Sequence, residues 1–526
     1  MVTLTDKAGD GGTNKEAQRA NQQAMIENVL HTHLGVREAA VVYDHDDLVA
    51  FVVPDDAFVD DVLGRANTGS TVLGKWRKVF DLSQLTKDAA SASVGFNTTG
   101  WNSSYTRGTI PASEMREWVE NTVSDILQLR PKTVCEIGCG TGMLVMQIAP
   151  RCDRYVAVDF SPAVLDRLRE QLQTVPAVAA RVEVIERRAD HLDGLDEDLF
   201  DTLVLSSVVQ FFPNIAYLTK VLEKAVNIVR PGGYVYVGDV RSLQLLEAFA
   251  SSVELFQAVD GMNAGELRER IRRRIEREPE LVISPAYFLS LQHQFPRISR
   301  VDIRPLRGRA DNEMTRYRYE AILHVGHETG ASFDDEFLDW TERKWTLDDV
   351  RSMLRQHPNE RIGIKCIRNA RIEKDLAALA ILRVADAGYT AGELRHGLEQ
   401  NLAEGIHPQA LLDLETEGLG FAVFLSWAAG RPDGSYDAFF VPKRSLQGIT
   451  LPAIGWPETN ASKLARLANA PGQGKLRNEL INQLVAHCSQ NLPEELAPAE
   501  IVLVDMLPRA ADGAVASQEL LRFRRA

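Results

Sequence analysis

Short apolar runs alternate with amphipathic segments through the middle of the chain. Between residues 114 and 129, apolar side chains recur at helical spacing, at Met115, Trp118, Val119, Val123 and Ile126. Helical patterns then separate five apolar runs, at 133–137, 155–159, 182–185, 202–205 and 234–237. This alternation predicts an α/β fold in which helices cover both faces of a parallel sheet. Two later runs, 301–305 and 317–325, have no obvious helix between them and predict a hairpin at the sheet edge.

The regions on either side follow other patterns. Residues 24–54 predict a helix, a strand, an acidic turn and a second strand. Residues 243–295 predict a long helical insertion. After Gly326 the pattern is helical at 347–354, 372–387 and 391–402, then strand-like at 421–427 and 438–441. A last amphipathic helix at 475–489 precedes an apolar run at 501–504.

The predicted insertion is dense in arginine, at Arg268, Arg270, Arg272, Arg273, Arg274 and Arg277. Charged positions on a helix usually form a solvated face, and we favour that interpretation. The alternative is a docking surface for an acidic partner.

Length and composition restrict the class of protein. A chain of 526 residues with 45% hydrophobic content can form more than one core. The net charge of -14 makes nucleic acids and anionic membranes poor partners. We find no signal-peptide pattern and no run of eighteen apolar residues, so we expect a cytoplasmic protein. The five cysteines lie mostly in apolar segments, which indicates reduced thiols, with neither a disulfide framework nor a metal site.

A glycine loop after the first predicted strand carries the main chemical signal. Residues 134–142 read VCEIGCGTG, so Gly138, Gly140 and Gly142 alternate and Glu136 precedes them. Glycine lets the backbone turn sharply and approach a ligand, and the start of the following helix favours hydrogen-bond acceptors. The spacing differs from the G-x-G-x-x-G of dinucleotide-binding loops. The loop therefore favours the amino-acid part of S-adenosylmethionine (SAM) as its ligand.

Polar residues after the next strands complete the predicted pocket. Asp159 ends the second strand, where a carboxylate can accept both ribose hydroxyls, and Ser161 can cap the helix that follows. We expect Asp190, after the third strand, to bind the adenine amino group. In open α/β sheets, ligands bind at the carboxyl ends of the strands. Val208 and Gln210, after the fourth strand, are therefore expected to face the cofactor and its methyl group.

Other stretches accompany the loop: GWNSSY at 100–105, EMREW at 114–118, SVVQFFP at 207–213, VGDVRS at 237–242 and NEMTRYRY at 312–319. Together they resemble the methyltransferase domains embedded in nonribosomal peptide synthetases, over residues 95 to 325. The resemblance implies a Rossmann-like seven-stranded sheet with SAM as the cofactor, and it makes Asn312 and Glu313 substrate-side residues. Tyr105 and Gln210 are expected to face the methyl group. Asp239 and Arg241 either face it too or pair with each other.

Both ends of the chain resemble the small C-terminal subdomain of an adenylation domain, whose start matches 26–54 and whose end matches 476–520. The expected organisation is a disordered tail (1–21), the first part of this α+β remnant (22–55), a connector that becomes helical near 72–80 (56–97), the methyltransferase domain (98–326), an associated helical extension (327–450) and the second part of the remnant (451–526).

The chain also departs from the family pattern. The 526 residues contain no segment that resembles the large adenylation core, which holds ATP and the amino acid, and we expect no carrier domain. Ala514 stands where the family has the lysine that contacts the acyl-adenylate. We therefore expect that the chain does not activate an amino acid and that its adenylation segments serve as a scaffold.

The leading hypothesis is a SAM-dependent methyltransferase that acts on an amino acid or peptide intermediate. Most related domains methylate nitrogen, so we expect N-methylation. That substrate is either a small molecule or bound to a carrier protein, and a synthetase is a candidate partner. In a second hypothesis SAM itself is the substrate: its α-amine attacks its own γ-carbon, which releases methylthioadenosine and forms an azetidine ring. A third hypothesis is a non-catalytic protein that binds a synthetase, which the intact glycine loop argues against.

Overall fold

The apolar runs and amphipathic segments of the sequence form strands and helices close to their expected positions. The computed structural model describes residues 11–45, 47–55, 58, 74, 77, 96–98, 100–192, 194–195, 198–326, 337–343, 345–386, 388–399, 404–445, 467–471, 473–504, 506–510 and 513–525. They belong to two units, one within Met1–Thr71 and Gly472–Ala526 and the other within Val72–Pro471. In the described part of the chain, no helix is both long and apolar enough to cross a membrane.

The strands in chain order are β1 (Val36–Asp44), β2 (Asp47–Pro54), β3 (Thr133–Ile137), β4 (Arg154–Asp159), β5 (Val182–Glu186), β6 (Phe200–Ser206), β7 (Val229–Arg241), β8 (Ile298–Pro305), β9 (Arg318–Val325), β10 (Phe337–Asp339), β11 (Ile362–Ile367), β12 (Phe421–Ser426), β13 (Tyr436–Pro442) and β14 (Glu500–Leu503). The helices are α1 (Gly11–His31), α2 (Ala112–Gln128), α3 (Val145–Ile148), α4 (Pro162–Gln173), α5 (Pro176–Ala179), α6 (Ile215–Ile228), α7 (Leu246–Gln257), α8 (Ala264–Glu276), α9 (Pro285–Gln294), α10 (Glu313–Tyr317), α11 (Trp340–Arg343), α12 (Leu347–Gln356), α13 (Glu373–Val384), α14 (Ala391–Glu399), α15 (Pro408–Asp413), α16 (Gln473–Asn491) and α17 (Ser517–Arg525).

The larger unit is organised around a seven-stranded sheet of order β5-β4-β3-β6-β7-β9-β8. The first five strands in this order are parallel. Every residue of β6 is buried, as expected for a central strand covered on both faces, which reads as a continuous apolar run. The predicted α/β fold with a Rossmann-like seven-stranded sheet is confirmed.

The hairpin expected at the edge of this sheet is present. Strand β9 pairs antiparallel with both β7 and β8. The connection contains a short helix that the pattern did not show, α10, which Asn312 and Thr315 begin as a reciprocal capping box. This places the connection between β8 and β9 beside the ends of the parallel strands.

The region expected to be a helical extension contains a second sheet, of order β10-β11-β13-β12. The antiparallel pair of β12 and β13 matches the predicted strand pair. Strands β10 and β11 were not predicted; β11 pairs with β13, more than seventy residues away, as in Ile362 with Phe440. Such a pairing leaves no local signal beyond a short apolar run, which is compatible with either a helix or a strand.

The smaller unit contains a three-stranded sheet of order β1-β2-β14, in which β14 runs parallel to β2. Helix α1 begins at Gly11, within the segment expected to be disordered through residue 21. The buried residues of α1 include Ile26 and Leu30. The Arg19 guanidinium of α1 lies 4.5 Å from the centroid of the Tyr43 ring on β1, so contacts between the two elements also involve the first half of the helix. The helix expected near 72–80 lies almost wholly outside the described residues.

Asp201 joins the amino-terminal ends of three strands in the seven-stranded sheet. Its carboxylate accepts hydrogen bonds from the backbone amides of Lys132 (3.0 Å) and Thr133 (2.9 Å), from the Thr133 hydroxyl and from Arg230 (3.0 Å). Asp201 is 8% exposed. If its carboxylate were removed, water could replace it only poorly as the partner of these donors.

We expect Asp201→Ala to lower the free energy of unfolding of the larger unit by about 2–4 kcal/mol, because buried donors are left unsatisfied. Urea unfolding followed by circular dichroism measures the change. The control is Asp153→Ala, an exposed aspartate next to the same strand ends, with an expected change within about 0.5 kcal/mol. Equal losses in the two variants would contradict this role of Asp201.

Candidate functional site

A cavity of about 920 Å³ opens at the carboxyl ends of the parallel strands. Residues that follow β3, β4, β6 and β7 contribute to its wall, as do residues of α7, α8 and α10. This is the edge at which open α/β sheets bind their ligands. Its volume lies toward the upper end of the roughly 300–1,000 Å³ that is typical of small-molecule sites.

The glycine loop forms one wall of this cavity. Gly138, Gly140 and Gly142 have φ angles of 76°, 53° and 87°, in the left-handed region that favours glycine. A Cβ atom at Gly138 would lie 2.6 Å from a methyl group of Val208, and one at Gly142 would lie 2.4 Å from Leu168. A Cβ at Gly140 would meet nothing within 4 Å. Two of the glycines are therefore required by packing, whereas Gly140 faces open space.

Asp159 lies directly against this loop. Its carboxylate accepts hydrogen bonds from the backbone amides of Gly140 (3.1 Å) and Ser161 (3.0 Å), and it lines the cavity. The Ser161 hydroxyl accepts from the Val164 amide and caps α4. The loop and the carboxylate that the sequence assigned to one ligand are therefore neighbours across the space between β3 and β4.

Glu136 is buried at the end of β3 and also lines the cavity. Burial raises the pKa of its carboxyl to about 7, although the Tyr155 hydroxyl, which donates a 2.7 Å hydrogen bond to it, lowers the pKa in part. The negative charge of Asp159 raises it further. Glu136 can therefore gain or lose a proton near neutral pH.

Asp190 is not among the residues that line the cavity. Its carboxylate accepts two hydrogen bonds from the Arg188 guanidinium, both 3.0 Å, and one from the Tyr217 hydroxyl (2.8 Å). These bonds lower the pKa of Asp190, against a burial effect that raises it. Arg188 and Tyr217 themselves line the cavity. Asp190 thus orients two wall residues.

Strands β6 and β7 end in backbone of unusual conformation. Ser207 and Asp239 have φ angles of 56° and 62°, which non-glycine residues adopt at a cost, often near a functional site. The Ser207 hydroxyl and the Arg318 guanidinium donate to the same oxygen of Asp239, at 2.6 Å and 2.7 Å. Burial raises the pKa of this carboxyl. Its other oxygen has no hydrogen-bond partner among the described residues.

The suggested pair of Asp239 with Arg241 does not form. Arg241 instead donates to Glu278 (2.6 Å) and Glu280 (2.8 Å), and all three residues line the cavity. The two carboxylates follow α8 in the chain, so no local pattern indicates that they meet a residue at the end of β7.

The residues predicted to face the substrate occupy two kinds of position. Gln210 and Glu313 line the cavity. The side-chain carbonyl of Gln210 is buried without a hydrogen-bond partner in the described structure, and the carboxylate of Glu313 accepts from the Ser104 amide (2.8 Å) and hydroxyl (2.9 Å). Asn312 and Tyr105 do not line the cavity.

Asn312 and Tyr105 instead hold elements of the wall. Asn312 caps α10, the helix that carries Glu313, and donates to Glu114 (2.7 Å). The Tyr105 hydroxyl shares a 2.6 Å hydrogen bond with Ser252 on α7, and burial raises its pKa.

One set of wall residues was not assigned to the site from the sequence: Arg270, Arg273, Arg274 and Arg277 line the same cavity. Their spacing of three, four and seven residues indicates one face of a helix. That periodicity shows that the four share a face, but it cannot show which element the face covers.

Comparisons with known proteins agree with this geometry. A family model described as "Methyltransferase domain" matches residues 135–235. The chain is 36% identical over 510 residues to chondramide synthase cmdD of Chondromyces crocatus, with 93% of this chain and 13% of the synthase aligned. It is 30% identical over 540 residues to the beauvericin nonribosomal cyclodepsipeptide synthetase of Beauveria bassiana, with 96% of this chain and 17% of that protein aligned.

Among solved structures, the chain is similar to the N-methyltransferase NodS from Bradyrhizobium japonicum WM9, at 14% identity and a TM-score of 0.27, over 40% of this chain and 97% of NodS. The chain spans less than a fifth of the length of the synthetases named above. Two findings lead to the same assignment. The family model matches residues 135–235, which contain most of the glycine loop, and nearly the whole chain aligns with synthetases. The chain contains a SAM-dependent methyltransferase domain of the type found in nonribosomal peptide synthetases.

Proposed function

We propose that the chain transfers a methyl group from SAM to a nitrogen of an amino acid or peptide intermediate in nonribosomal peptide synthesis. The observation that supports a second substrate is the extent of the cavity. It runs from the glycine loop past the ends of β6 and β7 to α7, α8 and α10, so it offers space beyond the loop and Asp159. A reaction confined to SAM would not need that space.

The residues at the loop fit SAM as a ligand. The open space at Gly140 allows a ligand to approach the backbone, and the Asp159 carboxylate, which lines the cavity, can accept ribose hydroxyls. Val208, packed against Gly138, forms the floor between the loop and the end of β6. Asp190 acts on the nucleoside through Arg188 and Tyr217, which it orients. When bound, SAM supplies a sulfonium methyl group that is already activated for displacement.

The chain's own contribution is position and control of protons. An amine acceptor must be neutral to attack, and its proton must leave toward an acceptor group. Gln210 offers an unpaired buried carbonyl that can accept a hydrogen bond from an amine, and Glu313 offers a fixed carboxylate in the same wall. Asn312 and Tyr105 are positioning residues, which hold α10 and the 104–105 segment in place.

One observation favours a second candidate, intramolecular cyclisation of SAM. Glu136, with its pKa near 7, lies at the loop proposed to hold the amino-acid part. A carboxylate there can take a proton from the α-ammonium. The neutral amine would then form a bond to the γ-carbon while the bond from that carbon to sulfur breaks. The products are azetidine-2-carboxylic acid and methylthioadenosine.

Product analysis separates the two reactions. Incubation of the full chain with SAM and an amine acceptor, followed by mass spectrometry of the nucleoside, is expected to show S-adenosylhomocysteine and a methylated acceptor. Methylthioadenosine formed without any acceptor would instead support cyclisation. If SAM binds and neither nucleoside forms with free or thioester-linked amino acids, both assignments are wrong.

We expect Gly140→Ala to weaken SAM binding about tenfold or more, because the added methyl group projects into the proposed binding space. Calorimetric titration with SAM measures the affinity. The matched control is Gly232→Ala: Gly232 has φ of 83° and also meets no atom within 4 Å of a built Cβ, but it does not line the cavity. Both variants carry similar left-handed strain of about 1–2 kcal/mol. Equal SAM affinities would contradict the assignment of the loop.

SAM binding should strengthen with rising pH. In the free protein the buried Glu136 holds its proton up to about pH 7, whereas a nearby ammonium group favours the carboxylate. We therefore expect binding about tenfold weaker at pH 6 than at pH 8, with proton release on binding below pH 7. The same raised pKa makes the folded state lose stability as the pH rises from about 4.5 to 7.

Calorimetry in buffers of different ionisation enthalpy measures both the affinity and the released proton. Glu136→Gln has no proton to lose and should give a flat profile. An unchanged pH profile in this variant would show that another group titrates.

A further inference from the structure

The arginine face of α8 lines the cavity. We use this name for Arg270, Arg273, Arg274 and Arg277, all of which line the cavity. Along the helix they extend over roughly 10 Å. Arg277 is the residue that ends the helix, and the buried residues Leu267 and Ile271 lie beside Arg270 and Arg274. Arg273 and Arg277 are exposed, as expected of a solvated helical face, whereas Arg270 and Arg274 are partly buried.

The carboxylates around this face do not neutralise it. Arg270 and Arg274 share a single buried carboxylate, Glu254, at 2.8 Å and 2.9 Å. Arg273 pairs with Glu269, which also pairs with Arg272. No ion pair is found for Arg277 in the described part of the chain. Glu276 pairs with Arg272, and Glu278 and Glu280 pair with Arg241, so the cluster has six guanidinium groups against five paired carboxylates and keeps one excess positive charge.

The helix that carries the face is fixed in place. Arg268, on another side of α8, donates to the carbonyls of Leu382 and Ala385 at the end of α13. The Ala264 amide donates to the carbonyl of Tyr389 (2.7 Å). An anion would therefore meet guanidinium groups on a rigid element, which lowers the entropic cost of binding.

The face continues from the end of the cavity that we assign to the acceptor. Arg277 directly precedes Glu278 in the chain, and Glu278 pairs with Arg241 at the end of β7. A molecule with its amine near Gln210 and Glu313 could therefore extend along α8 within the same cavity. Arginine forks match the oxygens of a phosphate group and bind them in pairs.

We propose that the arginine face is a subsite for a phosphate group on the second substrate. This inference rests on the proposed function, because it takes the acceptor to share the cavity with SAM. The phosphate chemistry has two sources: a phosphate ester in an arm that carries the substrate, or a free phosphate compound. Arg273 and Arg277 contribute most, since Arg270 and Arg274 are already held by Glu254.

The test compares two probes that differ only in one phosphate, 4′-phosphopantetheine and pantetheine. Calorimetry with the full chain is expected to show the phosphorylated probe binding about tenfold or more tightly. The double substitution Arg273→Gln and Arg277→Gln should remove most of this preference. Arg272→Gln is the matched control, because Arg272 lies on the same helix, pairs with Glu269 and Glu276, and does not line the cavity.

Equal affinity for the two probes, or a preference that survives the double substitution, overturns the subsite. Inorganic phosphate is the third probe. If it binds as tightly as phosphopantetheine and with the same dependence on the two arginines, the subsite stands and its ligand is a free phosphate. Because Arg273 and Arg277 lie on the surface of α8, loss of folding is not expected, and circular dichroism checks it.

These outcomes are distinct from failure of the proposed function. Probe binding is measured without SAM, so it does not depend on methyl transfer. One combination of results keeps methyl transfer and rejects the phosphate subsite. In it, S-adenosylhomocysteine forms with an unphosphorylated acceptor at the same KM in the wild-type chain and the double variant, and phosphopantetheine and pantetheine bind with equal affinity.

Discussion

The cavity depends on the close approach of two strand ends, fixed by the hydrogen bond from the Gly140 amide to the Asp159 carboxylate. This bond joins the loop after β3 to the end of β4. On the other side of the loop, Val208, which follows β6, packs against Gly138. A Cβ atom at position 138 would lie 2.6 Å from a methyl group of Val208, so only glycine fits there. Since all of these strands are parallel, their carboxyl ends meet at one edge, and the spaces between the loops that follow them form the cavity.

Charge is unevenly distributed over the cavity wall. Carboxylates lie at the glycine loop, where Glu136 and Asp159 raise the proton affinity of that end. Arginines of α8 also line the cavity, as does the mixed cluster of Arg241, Glu278 and Glu280. The wall therefore carries more arginines than carboxylates, in a chain whose net charge is -14.

Four of the predicted residues lie at the end of a strand or within four residues after it, as Asp190 also does. Gly138, Asp159, Val208 and Gln210 all do so, and all line the cavity. Asp190, Asn312 and Tyr105 were assigned direct contacts, but their side chains are engaged by Arg188, Glu114 and Ser252. Sequence position gives the region of such a side chain. It does not give the direction, because the direction depends on partners that are distant in the chain.

The sequence by itself determined the α/β sheet, the glycine loop and the edge hairpin, because these follow from local periodicity and from the conformational freedom of glycine. Only the tertiary structure decided that β11 pairs with β13, that α8 turns its arginines into the cavity, and that two glutamates after α8 hold Arg241. These contacts join residues far apart in the chain. Their energies depend on burial and charge pairing, which exist only once the helices have packed around the sheet.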